Sequence, residues 1–276
     1  MRLQATASNI VFASNAKPQH LSGQSIALRD SIRFGSAAIK LATVTAEEIA
    51  KIKSNPIQSM ILAIHEWGHG IMATLEKRIK IKKIEGTAGT HNNTSSAGAL
   101  QIDTNYDRTL FKGSEEIAAH TMRGVGGAVA EDIIISDAAG FKKLCSKKIT
   151  PKQFFKTYGG GDDYRILLMF EDISKNQSHR KEEPFFTQAT KFLRRTFSRI
   201  RAWVNPHKEH ALIVKWITDS HNLLKQVPEK GLFRLAKTLE QHGTIEGHDT
   251  IERLVKEALG KDYDTLQKQF NTLVTS

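Results

Sequence analysis

His65-Glu66-Trp67-Gly68-His69 sets two imidazoles four residues apart, with a carboxylate between them, inside the mostly apolar run that begins at Ile61. On a helix, residues at i and i+4 share a face, so His65 and His69 can grip one Zn²⁺. Glu66 then stands beside the metal as the base that takes a proton from its water. The alternative is a pair of core histidines satisfied by ordinary hydrogen bonds. Left unpaired, two buried histidines and a glutamate would be expensive.

This chemistry requires a helix, and the surrounding residues predict one. Asn55 reads as its N-cap and Pro56 as its first residue, where a missing N–H costs nothing. Ile57, Met60, Ile61, Ile64, Ile71, Met72 and Leu75 recur at three- and four-residue intervals, carrying the helix to about Arg78. Upstream, Thr45-Ala46-Glu47-Glu48 reads as a capping box opening a shorter helix. Downstream, residues 79–84 alternate like a strand, and a Gly/Thr/Asn-rich turn leads to a second short strand around residues 99–102. Such a ribbon either offers an edge to extended substrate or is a structural hairpin.

A second long helix is expected over residues 115–136, containing Gly124, Gly126 and Gly127. A mid-helix glycine costs about 1 kcal/mol relative to alanine, so the cluster needs a compensating contact, and close approach of the His65 helix would supply it. Glu131 would then lie near the metal, as a third ligand or as an acceptor fixing a histidine; otherwise it is a solvated charge. Residues 137–157 read as a lysine-bearing connector. Gly159, Gly160 and Gly161 then precede Asp162 and Asp163, a tight loop delivering two carboxylates to the start of an apolar helix expected from about Ile166. Capping would account for one of the two.

Residues 174–183 look linker-like. In 184–204, Phe185, Phe192, Phe197 and Trp203 fall at helical spacing among Lys191, Arg194, Arg195, Arg199 and Arg201. This basic amphipathic segment either meets an anionic membrane or acidic protein, or packs on its own domain. Helices are expected around residues 210–227, 228–243 and 248–259, and a short tail helix within 261–276.

At 276 residues the chain can bury a substantial core, and its net charge of +11 permits anionic partners without choosing among them. Nucleic acid rests on that charge alone and is not expected. One cysteine, Cys145, excludes an internal disulfide framework and fits a reducing compartment. No apolar run approaches the roughly 20 residues that span a bilayer, so the expectation is a soluble, cytoplasmic protein. Residues 1–42 carry no acidic residue before Asp30 and read as a flexible tail, or as a leader for an organelle or for secretion.

Taken together, the motifs resemble the peptidase domain of FtsH, the membrane-bound AAA zinc protease. His65-Glu66-Trp67-Gly68-His69 is similar to the family's His-Glu-x-Gly-His, and residues 81–102 to its strand and ribbon. Gly126-Gly127-Ala128-Val129-Ala130-Glu131-Asp132 resembles Gly-Gly-Arg-x-Ala-Glu-Glu. Residues 157–163, ending Asp162-Asp163, align without a gap on Thr-Thr-Gly-Ala-x-Asn-Asp. Residues 243–251 resemble Glu-Thr-Leu-Asp-Gly-x-Glu-Ile. The resemblance covers about residues 45–260 and implies a mainly α zincin domain (43–260) with a small β-ribbon and 174–206 as a basic insertion. It implies His65, His69 and Asp163 as zinc ligands and Glu66 as general base. Glu131, and Asp162 in place of the family's Asn, would touch the ligands rather than the metal.

The sequence departs from the family at Ala128, which replaces an Arg, and it carries no phosphate loop. The expectation is therefore a stand-alone, ATP-independent zinc metalloendopeptidase acting on unfolded or flexible polypeptide, with oligomer formation left open. The alternative is a non-catalytic peptidase-fold module acting through its basic surface. That alternative gives Glu66 no work.

Overall fold

The helix carrying the two histidines lies at the centre of the molecule. The computed structural model describes residues 39–76, 78–86, 99–102, 114–159, 161–180 and 210–275, less the side chains of 99, 114, 161, 162 and 175–180. In chain order the elements are α1 (Ala46–Ser54), α2 (Gln58–Leu75), β1 (Ile81–Glu85), β2 (Ala99–Ile102), α3 (Ser114–Ser136), α4 (Ala139–Cys145), α5 (Pro151–Thr157), α6 (Gly161–Arg180), α7 (Ala211–Leu224), α8 (Glu229–His242), β3 (Thr244–Glu246), α9 (His248–Leu259) and α10 (Tyr263–Thr275). The architecture is mainly helical with one small antiparallel sheet.

Every residue of α2 from Ala63 to Leu75 is buried. A helix with no solvated face must be wrapped on all sides, and α3, α8, α9, α10 and β1 do the wrapping. The start of α2 differs from expectation. Asn55 ends α1 at φ −145°, ψ 75°, and Ile57 is the N-cap of α2, with no side-chain cap. Pro56 drives the residue before it out of the helical region, so the break falls on Asn55. The capping box at Thr45 is formed, with Thr45 Oγ1 accepting from the Glu48 N–H and Glu48 accepting from the Thr45 N–H.

At its other end α2 stops at Leu75, three residues before the expected Arg78. Glu76 turns extended, and its buried carboxylate pairs with the guanidinium of Arg123 on α3. The Tyr263 hydroxyl of α10 donates to the Thr74 carbonyl at 3.0 Å, which satisfies one of the carbonyls orphaned at a helix end. The expected tail helix is thus part of the core, with Tyr263, Leu266 and Phe270 buried.

The ribbon has a third strand, giving the order β2-β1-β3. Ile84 faces Leu100 on one side and Ile245 on the other. A register shift between Ile81 and Lys83 lets both Ile81 and Ile84 point inward although three residues separate them. β3 is short and lies between Gly243 and Gly247, both at positive φ.

Two further expectations change. The connector over 137–157 folds as α4 and α5. Thr150 caps α5 through a reciprocal box with Gln153, and Pro151 occupies its first turn. Asp132 on α3 accepts from the Gly140 and Phe141 N–H groups, both at 2.8 Å, and so anchors the start of α4. Helix α6 begins at Gly161, ahead of Ile166, and runs to Arg180, so 174–180 are helical rather than linker; no Pro or Gly there interrupts it. The basic segment 184–204 lies outside the described residues, as do residues 1–38. Residues 39–42 pack on α8: Leu41 is buried, and the Ala42 N–H donates to Thr238 Oγ1 at 2.9 Å. Among the described residues no helix is long and apolar enough to cross a membrane.

Candidate metal centre

Three helices deliver the site. α2 brings His65, Glu66 and His69, α3 brings Glu131 and two backbone groups, and the first turn of α6 brings Asp163. The helices approach so closely because glycines face one another. A Cβ on Gly68 would lie 2.3 Å from the Gly126 carbonyl oxygen, and one on Gly126 would lie 2.6 Å from that of Gly68. A Cβ on Gly127 would fall 2.5 Å from His69 Nε2 and 2.6 Å from His65 Nε2. Gly127 is therefore the floor of the site, and the glycine cluster expected to admit a neighbouring helix also makes room for both imidazoles.

His65 Nε2 lies 3.1 Å from His69 Nε2 and 3.3 Å from Asp163 Oδ2; His69 Nε2 lies 3.7 Å from the same oxygen. One ligating atom from each of these three residues falls within 4.8 Å of the others, a grouping that can hold a metal ion. All three side chains are buried. The outer ring nitrogens are held as well. His69 Nδ1 donates to the Arg123 carbonyl at 2.7 Å, and His65 Nδ1 sits 3.3 Å from Glu131 Oε2. The Gly127 N–H also points at His69 Nδ1, at 3.3 Å, but the shorter Arg123 contact fixes that nitrogen as a donor. With Nδ1–H so engaged on each ring, the Nε2 lone pairs are left for the centre.

Glu131 therefore lies on the outer nitrogen of His65, opposite Asp163, and holds that ring from behind. Asp162 belongs to the first turn of α6, but its side chain lies outside the described residues. Gly159, at φ +81°, closes the loop over Glu131: a Cβ there would sit 3.1 Å from Glu131 Oε2 and 3.4 Å from His65 Nδ1.

Electrostatics follow from burying four ionisable groups together. Burial opposes a charge on His65, but Asp163 and then Glu131 outweigh it and hold its pKa up at about 10. Burial lowers His69, with Asp163 only partly offsetting it. Burial also works against an ionised Asp163, yet the neighbouring His69 and His65 keep its carboxyl below the usual range. The cluster thus favours a positive charge on His65, flanked by the Asp163 and Glu131 carboxylates. Burial pushes Glu66 up to about 8, with His65 opposing and Asp163 adding to the shift. Glu66 Oε2 is buried without a hydrogen-bond partner. Glu66 feels His65 and Asp163 electrostatically, so its orphaned oxygen belongs to the same buried charged cluster as the three possible ligands.

Several supporting groups were not foreseen from the sequence. The Glu76–Arg123 pair fastens the end of α2 to the turn of α3 whose carbonyl orients His69. Asp132 holds Ser136, whose Oγ lies 2.9 Å from the Tyr158 hydroxyl beside Gly159. The available signal was a single arginine and a single aspartate within otherwise apolar stretches of α3. No protein-family model matches the sequence, and no curated protein matches it significantly.

Proposed function

We propose that the protein is a zinc metalloendopeptidase in which His65, His69 and Asp163 hold the ion and Glu66 is the general base. The observation that supports this most is the convergence of two Nε2 lone pairs and one carboxylate oxygen, with Glu66 on the same helix, electrostatically coupled to His65 and Asp163 and its Oε2 unpartnered. Two imidazoles and one carboxylate are a donor set that suits zinc and leaves a fourth position open, as a catalytic rather than a structural site requires. When bound, zinc supplies a Lewis acid that acidifies water and polarises a carbonyl.

The chain's own groups do the rest. Glu66 Oε2 accepts the proton of the attacking water and passes it to the leaving amine nitrogen. Glu131 and the Arg123 carbonyl keep both imidazoles aimed inward. The resemblance of four ordered motifs to the FtsH peptidase domain supports the same assignment. It points to flexible or unfolded polypeptide as substrate, cleaved without ATP. A binding module without turnover would leave a buried, unpaired Glu66 unexplained.

The test combines metal content by mass spectrometry with cleavage of a mixed, unstructured peptide library. One zinc per chain, cleavage by the wild type, and loss of cleavage with retained zinc in Glu66→Gln are expected. A Glu66→Gln protein that turns over at the wild-type rate would sink the assignment.

A further inference from the structure

We infer that the α4–α5 hairpin is a docking surface for acidic segments of polypeptide, which sets which substrates reach the metal centre; this rests on the peptidase reading. Lys142, Lys143, Lys147, Lys148, Lys152 and Lys156 are all exposed on it. Not one acidic residue occurs between Asp137 and Asp162. Lys142 Nζ touches the Asp137 carbonyl at 3.2 Å, and none of the six forms an ion pair among the described residues. Asp137 acts electrostatically on Lys142 alone of the six, so among the described residues the like charges of this short hairpin are largely uncompensated, and an anionic partner relieves their repulsion.

The hairpin presents this charge on a firm base. Leu144, Phe154 and Phe155 are buried beneath it, Asp132 anchors the start of α4, and the Thr150–Gln153 box caps α5. A preformed surface loses little freedom on binding. It also leads directly to the site. Lys152 and Lys156 share one face of α5, and Lys156 precedes Gly159 by three residues, a chain distance of at most about 11 Å. Gly159 in turn borders Glu131 and His65. An extended peptide with a carboxylate about three to six residues from the cleaved bond spans that gap.

The surface fits polypeptide better than lipid or nucleic acid. The exposed large apolar side chains among the described residues are Ile57 and Met169, both off the hairpin, so it has no apolar anchor to insert into a bilayer. Phe154 and Phe155 are buried, and half-buried Phe141 has one face stacked on His221 at 3.8 Å, so no fully exposed aromatic ring is offered to bases.

The experiment uses the zinc-loaded full chain and two quenched fluorescent peptides. They are identical around the cleaved bond and carry either a tetraglutamate or a tetraglutamine flank. About tenfold higher kcat/KM for the tetraglutamate peptide at low salt is expected, carried by KM and lost at about 0.5 M salt, where screening is nearly complete. The combined Lys143→Gln, Lys147→Gln, Lys148→Gln, Lys152→Gln and Lys156→Gln variant abolishes the preference. Removing as many charges elsewhere (Lys51, Lys215, Lys225, Lys230 and Lys268 to Gln) preserves it. Equal cleavage of both peptides, or a preference surviving the hairpin variant, overturns the proposal.

If neither peptide is cut, it is the peptidase reading that has failed. Anisotropy of the labelled tetraglutamate peptide then still decides the surface. Salt-sensitive binding lost in the hairpin variant supports it, and absent binding overturns it. Binding to phosphatidylserine vesicles or single-stranded DNA in place of the tetraglutamate peptide also overturns it.

Discussion

Each side chain at the centre has a separable role, and the roles differ in what a substitution removes. Asp163→Asn weakens one of the three inner donors, so zinc stoichiometry falls well below one at micromolar metal. Glu131→Gln keeps the three donors and loosens only the ring of His65, so affinity drops about 10- to 100-fold while saturation remains reachable. Equal zinc loss in both variants would mean that Glu131 also binds the ion. Protons compete with the metal at the same place. His65 in the metal-free chain titrates at about 10, against an ordinary 6.5, because Asp163 and Glu131 outweigh burial. A raised folded pKa stabilises the metal-free protein fully below about 6.5 and progressively less up to about 10. Zinc must displace that proton, so its affinity rises with pH over the same range. The zinc-induced increase in Tm is therefore larger at pH 8.5 than at pH 6.5, as scanning fluorimetry with zinc or chelator would show; a smaller increase at the higher pH contradicts the site. Glu66 follows the same sign: its carboxyl is raised from 4.5 to about 8, so its burial costs stability as pH climbs through that window. Glu66→Gln removes this cost, and the metal-free variant should melt above wild type at pH 9 while being unable to cleave. Glu66 is held ionised at some expense of stability.

At the level of elements, the site depends on how near α3 comes to α2. Gly127→Ala would gain up to about 1 kcal/mol of helix propensity. The new methyl, however, lands 2.5 Å from His69 Nε2, inside any normal contact. Overpacking of that kind costs about 1–3 kcal/mol and here displaces the imidazoles themselves. Gly127→Ala is expected to keep its helical circular dichroism and lose zinc. Gly68→Ala, which drives a methyl into a backbone carbonyl, should lose the fold as well. Retained zinc affinity in Gly127→Ala would show that the helices stand further apart. Much of this was legible: spacing along one helix placed His65, Glu66 and His69, and the cost of mid-helix glycine pointed to a close neighbour. Asp163 as a third donor is what the family resemblance implies; the loop alone offers two carboxylates, of which capping accounts for one, and does not say which of them turns inward. Helix α5 is legible in principle, since its Thr150–Gln153 box is the same signal that marks α1. Strand β3 was not legible, because three residues between glycines carry no periodicity. Nor was the start of α2, where the restriction Pro56 places on Asn55 outweighed its suitability as a first helical residue.

The molecule as a whole is a set of helices packed round α2, so binding at the centre and stability at the periphery share one free energy. The pair Glu76–Arg123 was hidden from sequence reading because 47 positions separate its partners and neither lies in a motif. The same holds for α10, which reads as a tail by its position yet satisfies the Thr74 carbonyl and buries Phe270 completely. Truncating such a ring costs about 3–5 kcal/mol, which in a chain of this size lowers Tm by roughly 2–4 °C per kcal/mol. Phe270→Ala should therefore melt about 6–20 °C below wild type in chelator. Zinc at 100 times its Kd adds about 2.7 kcal/mol to any chain whose folded state alone binds it. The variant should thus recover roughly half or more of its lost stability with zinc, since Phe270 sits on α10, which brings none of the three donors. Paired melting curves with zinc and chelator separate the alternatives. A shift below about 2 °C would make α10 the appendage its position suggests. A full shift that zinc cannot reduce would mean that α10 holds the donors in position as well as covering the core.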